Sequence, residues 1–124
     1  MKKTVFIVDD DAMMTQMLKD HLEQNPYYQV NTFGTGEECI RSLDQDPIAI
    51  ILDYKLNMHD PVAANGLEIL QQIKNINEKT CVIMLSSQEQ YGTALKTIAK
   101  GALEYVVKDN DAFNKVSKIL DSLD

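Results

Sequence analysis

Five stretches of this chain carry the hydrophobic pattern of strands, five carry that of helices, and the two kinds alternate. Val5-Phe6-Ile7-Val8, Ile48-Ala49-Ile50-Ile51-Leu52 and Cys81-Val82-Ile83-Met84-Leu85 are unbroken apolar runs, as expected of strands covered on both faces. Tyr28-Gln29-Val30-Asn31-Thr32-Phe33 and Leu103-Glu104-Tyr105-Val106-Val107 interleave polar residues, which suits the edges of a sheet. Between the strands, apolar residues recur at helical spacing: Met14, Met17, Leu18 and Leu22; Cys39, Ile40 and Leu43; Leu67, Leu70 and Ile73; Tyr91, Ala94, Leu95, Ile98 and Ala99; Ala112, Val116, Ile119, Leu120 and Leu123. Each helix is expected to lay its apolar face on the sheet, with Met13, Met14 and Met17 packed in the core. The alternation predicts an α/β fold: a five-stranded parallel sheet in a doubly wound, three-layer α/β/α arrangement. Continuous runs in the middle and right-handed crossovers give the strand order 2-1-3-4-5, with a switch point between strands one and three.

Two of the central runs end in carboxylates. The first strand stops at Asp9-Asp10-Asp11 and the third at Asp53, so the carboxylates of Asp9, Asp10 and Asp53 meet where an open α/β sheet binds ligands. Like charges crowded at a strand edge are costly unless a cation sits among them, and oxygen donors suit a hard one. Ser86, with Ser87, ends the fourth strand on the same side, and Lys108 ends the fifth. A metal, a lysine and a hydroxyl around a carboxylate are what phosphoryl transfer needs, since that chemistry is mostly positioning and charge stabilisation. Asp53 is then the natural nucleophile. Taken singly, these residues have plainer readings. Asp11 directly precedes the first helix and reads as its N-cap; Ser86 and Ser87 read equally as caps of the fourth helix, and Lys108 as a solvated lysine.

Composition narrows the classes of function. The 124 residues are one ordinary domain's worth, 44% hydrophobic and 25% charged, and the net charge of −7 argues against binding a phosphate backbone. No apolar run approaches the length of a membrane span, and the basic start Met1-Lys2-Lys3 leads into a strand rather than a signal sequence, so a cytoplasmic protein is expected. Cys39 and Cys81 fall within apolar patterns and read as small core residues, with a disulfide or metal pair as the alternative; His21 and His59 read as surface residues.

The ordered set Val8-Asp9-Asp10-Asp11, Leu52-Asp53, Met84-Leu85-Ser86-Ser87 and Gly101-Ala102-Leu103-Glu104-Tyr105-Val106-Val107-Lys108 resembles the receiver domain of two-component response regulators, nearly end to end. The resemblance implies a single receiver domain over residues 1–124 with the flavodoxin-like fold of chemotaxis regulators. It implies phosphorylation on Asp53, with Mg²⁺ as cofactor, by a histidine kinase or histidine phosphotransfer protein. Asp9, Asp10 and Asp53 would hold the metal together with the backbone carbonyl of Lys55, while Ser86 and Lys108 would assist at the phosphoryl group. In similar receivers the residues matching Ser86 and Tyr105 act as a switch, reshaping the surface of the fourth helix, fifth strand and fifth helix where a downstream protein docks. Such a chain is no enzyme beyond its own phosphorylation and dephosphorylation, and binds neither nucleic acid nor membrane directly.

Two departures from the family's pattern stand out. Similar receivers carry a proline four residues past the phosphoacceptor and a glycine about eight past it, whereas here Asn57 takes the first place and glycine arrives at Gly66. Segment 54–65, with His59, Asp60 and Pro61, therefore looks like an insertion able to shield the site, supply a side chain or meet a partner. Lys108 is followed by Asp109 instead of the usual proline, so that peptide is either cis at a cost of roughly 2.5–4 kcal/mol or trans with a rearranged loop. The rival functions are a receiver-fold interaction module that is not phosphorylated, an aspartate-nucleophile phosphatase, and a flavin carrier. Asp53-Tyr54-Lys55 lacks the second acid that the phosphatases carry, and the carboxylates would repel a flavin phosphate.

Overall fold

The computed structural model describes residues 2–56, 65–87 and 91–123. Its elements run β1 (Lys3–Val8), α1 (Ala12–Leu22), β2 (Tyr28–Phe33), α2 (Gly36–Arg41), a 3₁₀ turn (Leu43–Gln45), β3 (Ala49–Asp53), α3 (Gly66–Ile76), β4 (Val82–Ser86), α4 (Tyr91–Ala99), β5 (Glu104–Val107) and α5 (Ala112–Asp121). All strand pairs are parallel and the order is β2-β1-β3-β4-β5, as the patterning predicts. The unusual length of segment 54–65 concerns mainly residues 57–64, which lie outside the described residues, as does His59.

Strand alternation divides the core between the two faces of the sheet. Val5, Ile7, Ile51, Ile83 and Leu85 meet Leu18 and Leu22 of α1 and Val116 and Leu120 of α5. Phe6, Val8, Ile50, Leu52 and Met84 meet Cys39 of α2 and Ile69, Leu70 and Ile73 of α3. Cys39 is a buried thiol that burial pushes up to about 12, and Cys81 is half-buried; both are free.

Two helices differ from the expected pattern. On α1, Met13 and Met17 face solvent at 74% and 54% exposure, and the inward positions are Thr15, Leu18 and Leu22. Thr15 is tolerated inside because its hydroxyl donates to the Asp11 carbonyl at 2.9 Å, leaving no unsatisfied donor. On α4, Tyr91, Leu95 and Ile98 are exposed at 77%, 53% and 43%, and the buried residue is Thr97, whose hydroxyl donates to the Thr93 carbonyl at 2.8 Å. The apolar face of α4 is thus turned outward rather than onto the sheet. His21 is half-buried rather than superficial, its ring tilted against Phe113 with 5.6 Å between centroids.

The ends of the fold meet at the pole where the strands begin. Lys3 N–H donates to the Tyr27 carbonyl at 2.6 Å, and the Tyr28 hydroxyl donates to Asp121 Oδ1 at 2.8 Å. Lys3, Asn25, Tyr27, Tyr28 and Asp121 line one cleft of about 440 Å³ there.

Candidate functional site

Parallel strands end at a common edge, and the register sets how closely. Val8 pairs with Leu52, Asp53 with Leu85, and Ser86 with Val107, so the residues at or just past these ends share one rim. Asp9, Asp10 and Asp53 each offer a carboxylate oxygen within 4.8 Å of the others. Lys108 Nζ lies 3.0 Å from Asp53 Oδ1 and 3.4 Å from Asp9 Oδ2. Asp9 Oδ1 also accepts the Asp11 N–H at 2.9 Å. A cleft of about 310 Å³ opens over this group, lined by Asp9, Asp10, Asp11, Asp53, Lys55, Ser87 and Lys108.

The electrostatics are unbalanced, because among the described residues four carboxylates, Asp9, Asp10, Asp11 and Asp53, line the cleft against two lysines, Lys55 and Lys108. Burial, followed by the charge of Asp53, raises the Asp9 carboxyl to about 6, against the opposing pull of the Asp11 N–H and Lys108. Burial draws the Lys108 ammonium downward, but Asp53 and then Asp9 outweigh it, so its value is raised. The rim is short of positive charge. An all-oxygen donor set with excess negative charge fits Mg²⁺, which binds through a few carboxylates while keeping several waters.

The remaining residues named from sequence take distinct places. Asp11 caps α1, its Oδ1 accepting the N–H groups of Met13 and Met14 at 3.1 and 3.2 Å. Ser86 is wholly buried as the last residue of β4, while Ser87 is exposed and lines the cleft. Residues 88–90, where a cap for α4 would sit, lie outside the described residues. Lys55 stands exposed on the cleft wall. Tyr105 is half-buried on β5 against the α2–α3 side of the core, away from the carboxylate cleft, and borders a second cleft of about 300 Å³ with Val107, Lys115, Lys118 and Ile119.

The peptide from Lys108 to Asp109 is trans, among described residues that contain no cis bond. The turn is rebuilt around Asp109. Its N–H donates to the Val107 carbonyl at 2.8 Å, its Oδ1 accepts the Asp111 N–H at 2.9 Å, and its Oδ2 lies 3.2 Å from Lys115 Nζ. The Asp111 N–H, then Lys115, hold the Asp109 carboxyl below the usual carboxylate range.

Gly66 is a further contributor that the sequence marked only as the end of the long segment. Its N–H donates to the Tyr54 carbonyl at 3.0 Å, and a Cβ there would lie 2.5 Å from the carbonyl oxygen of Asp53. The α3 N-terminus therefore rests directly on the backbone of Asp53 and Tyr54. The visible signal was Asn65 followed by Glu68, a capping box that fixes where α3 starts.

Comparison with known proteins agrees with this arrangement. Residues 5–120 match the family described as response regulator receiver domain. The chemotaxis protein CheY of Thermotoga maritima is 29% identical over 125 residues, spanning 95% of this chain and 100% of that protein. The CheY of Listeria monocytogenes is 30% identical over 121 residues, 97% of this chain and 94% of that one. A Carboxydothermus hydrogenoformans protein-glutamate methylesterase/protein-glutamine glutaminase is 32% identical over 127 residues, 98% of this chain but 34% of that protein. The chain thus spans nearly the whole of some relatives and a third of another. Among solved structures, the BeF3-activated receiver domain of DrrB, a Thermotoga maritima protein, superposes with a TM-score of 0.83 at 27% identity, covering 99% of this chain and 97% of that one. With the strand order β2-β1-β3-β4-β5, an acidic rim at the strand ends and a family match over residues 5–120, the chain belongs to the response regulator receiver domains of two-component signalling.

Proposed function

We propose that this receiver accepts a phosphoryl group on Asp53, in a Mg²⁺-dependent reaction, from a histidine kinase or a histidine phosphotransfer protein. The 3.0 Å approach of Lys108 Nζ to Asp53 Oδ1, at the mouth of a cleft shared with Asp9 and Asp10, is the observation that carries this reading. An Asp53 carboxylate oxygen attacks the phosphorus of the phosphohistidine; the new O–P bond forms as the N–P bond breaks, its electron pair returning to the imidazole nitrogen. Lys108 offsets charge on the transferred group, and hydroxyls at the β4 end supply a hydrogen bond. Asp9, Asp10, Asp53 and the Lys55 carbonyl would hold the Mg²⁺, whose contribution is to neutralise charge on the phosphoryl oxygens. Attack of water on the phosphorus later restores the Asp53 carboxylate and releases phosphate. The chain therefore turns over only its own modification, which is the behaviour of a switch rather than of an enzyme.

Readout is assigned to the buried Ser86, to Tyr105 and to the α4-β5-α5 surface. The outward apolar residues Tyr91, Leu95, Ile98 and Leu103 support a downstream protein as its occupant. The acidity supports a protein partner rather than a nucleic acid, and no described helix is long and apolar enough to cross a membrane. A cytoplasmic setting accords with this reading. Incubation with Mg²⁺ and a small phosphodonor, read by intact mass, tests the proposal. One added phosphoryl group is expected in the wild type and none in Asp53→Asn or without Mg²⁺. An unmodified wild type that also ignores beryllofluoride would leave the non-phosphorylated interaction module as the function.

A further inference from the structure

We infer that Asp109 is a positioning residue for Lys108, its carboxylate locking the turn between β5 and α5 in the form that delivers the Lys108 ammonium to Asp53. The inference rests on Asp53 being the phosphoacceptor. Lys108 has a long, rotamer-rich stem, so the reach of its ammonium depends on how firmly its backbone is anchored. Two bonds anchor it. Its own N–H donates to the Ser86 carbonyl at 2.7 Å, and the next N–H, that of Asp109, donates to the Val107 carbonyl at 2.8 Å, closing a three-residue turn around Lys108.

That turn is held from its far side by Asp109. Its Oδ1 accepts the Asp111 N–H at 2.9 Å, its carbonyl accepts the Ala112 N–H at 3.2 Å, and its Oδ2 lies 3.2 Å from Lys115 Nζ. Asp111, at the N-cap of α5, makes no side-chain capping bond, so the Asp109 carboxylate closes the start of that helix. The two carboxylate contacts are unequal. Asp109 and Lys115 are 44% and 47% exposed, where an ion pair adds little, whereas a backbone N–H bonded to an ionised acceptor is short and charge-assisted. The Asp111 N–H is the contact that positions Lys108; Lys115 is secondary.

The test compares Mg²⁺-dependent beryllofluoride affinity and initial phosphorylation rate among wild type, Asp109→Asn, Asp109→Ala, Lys115→Ala, Lys108→Ala and the Lys108→Ala/Asp109→Ala double variant. Asp109→Asn keeps an acceptor for the Asp111 N–H and is expected within about twofold of wild type, as is Lys115→Ala, while Asp109→Ala loses about fivefold or more. In the Lys108→Ala background, the further loss on Asp109→Ala should shrink to less than about twofold, because the residue it positions is gone. Undiminished loss in that background, or damage from Asp109→Asn equal to that from Asp109→Ala, would overturn the inference in favour of a merely structural role. If Asp109→Ala does not fold, Asp109→Glu, which carries its carboxylate past the Asp111 N–H, takes its place. If wild type neither accepts a phosphoryl group nor binds beryllofluoride, the phosphoacceptor reading falls, and the positioning is decided by NMR of the Lys108 side-chain Cε–Hε signals. Those signals should move in Asp109→Ala and stay in Asp109→Asn; no movement in either overturns it.

Discussion

Asp9 shows how far a single side chain can be pushed by its surroundings. Its carboxyl stands at about 6 in the folded protein against an ordinary value of 3.8, because burial and Asp53 outweigh the Asp11 N–H and Lys108. The folded chain therefore retains a proton between those two values that the unfolded chain releases. The associated stability is full below about pH 3.8 and is lost as pH rises through about 6, a difference of about 3 kcal/mol. In the metal-free protein, Asp9→Asn should accordingly raise stability at pH 7.5 by about 1–3 kcal/mol in urea unfolding, with the gain fading by pH 4. A variant less stable than wild type at pH 7.5 would show that the hydrogen bonds of the carboxylate dominate instead. The carboxylates and Lys108 were legible in the sequence because each ends a strand. Thr15 was not, since the burial of a threonine depends on a bond to the Asp11 carbonyl that spacing does not reveal, and with Thr15 inward Met13 and Met17 turn out to solvent.

Helices that look alike in sequence differ in how they are held. The α3 helix docks through Gly66, where a Cβ would meet the Asp53 carbonyl oxygen at 2.5 Å and the Tyr54 Cα at 2.8 Å. Backbone cannot step aside as a side-chain tip can. Gly66→Ala should therefore cost about 1–3 kcal/mol and slow phosphorylation of Asp53 as the helix backs away, measurable by denaturant unfolding and by intact mass over time. Wild-type stability and rate in that variant would mean that α3 shifts freely. The α4 helix is the opposite case. Leu95→Ala should change stability by less than about 0.5 kcal/mol, whereas Leu70→Ala on α3 should cost about 2–5 kcal/mol. A large loss at Leu95 would mean that α4 is covered in solution. Hydrophobic spacing located both helices, yet it reports only which residues share a face and not what lies against that face.

For the molecule as a whole, a cation held at this rim would couple folding to ligand. Excess negative charge at one rim, within a chain of net charge −7, predicts that a bound cation would stabilise the whole fold. Mg²⁺ at about a hundred times its dissociation constant should add about 2.7 kcal/mol, seen as a melting temperature that climbs with Mg²⁺ in wild type and stays nearly flat in Asp10→Asn. A flat response in wild type would show that the rim does not take the ion. The topology was legible as a whole because continuous and alternating strands sort themselves into centre and edge. The turn after Lys108 was not, since its form depends on bonds from Asp111 and Lys115 that close only in three dimensions.

The meeting of Lys3 and Asp121 at the pole where the strands begin has a practical consequence. The six residues of β1, at about 3.3 Å each, separate that pole from the carboxylate rim by about 20 Å. A fluorescent reporter or catalytic cargo spliced near Lys3 or Asp121 would ride on the floor of the domain, leaving the carboxylate cleft unobstructed. Because these two residues share a single cleft, a short polar linker could join them, and a circularly permuted chain would keep the same chemistry at the opposite end.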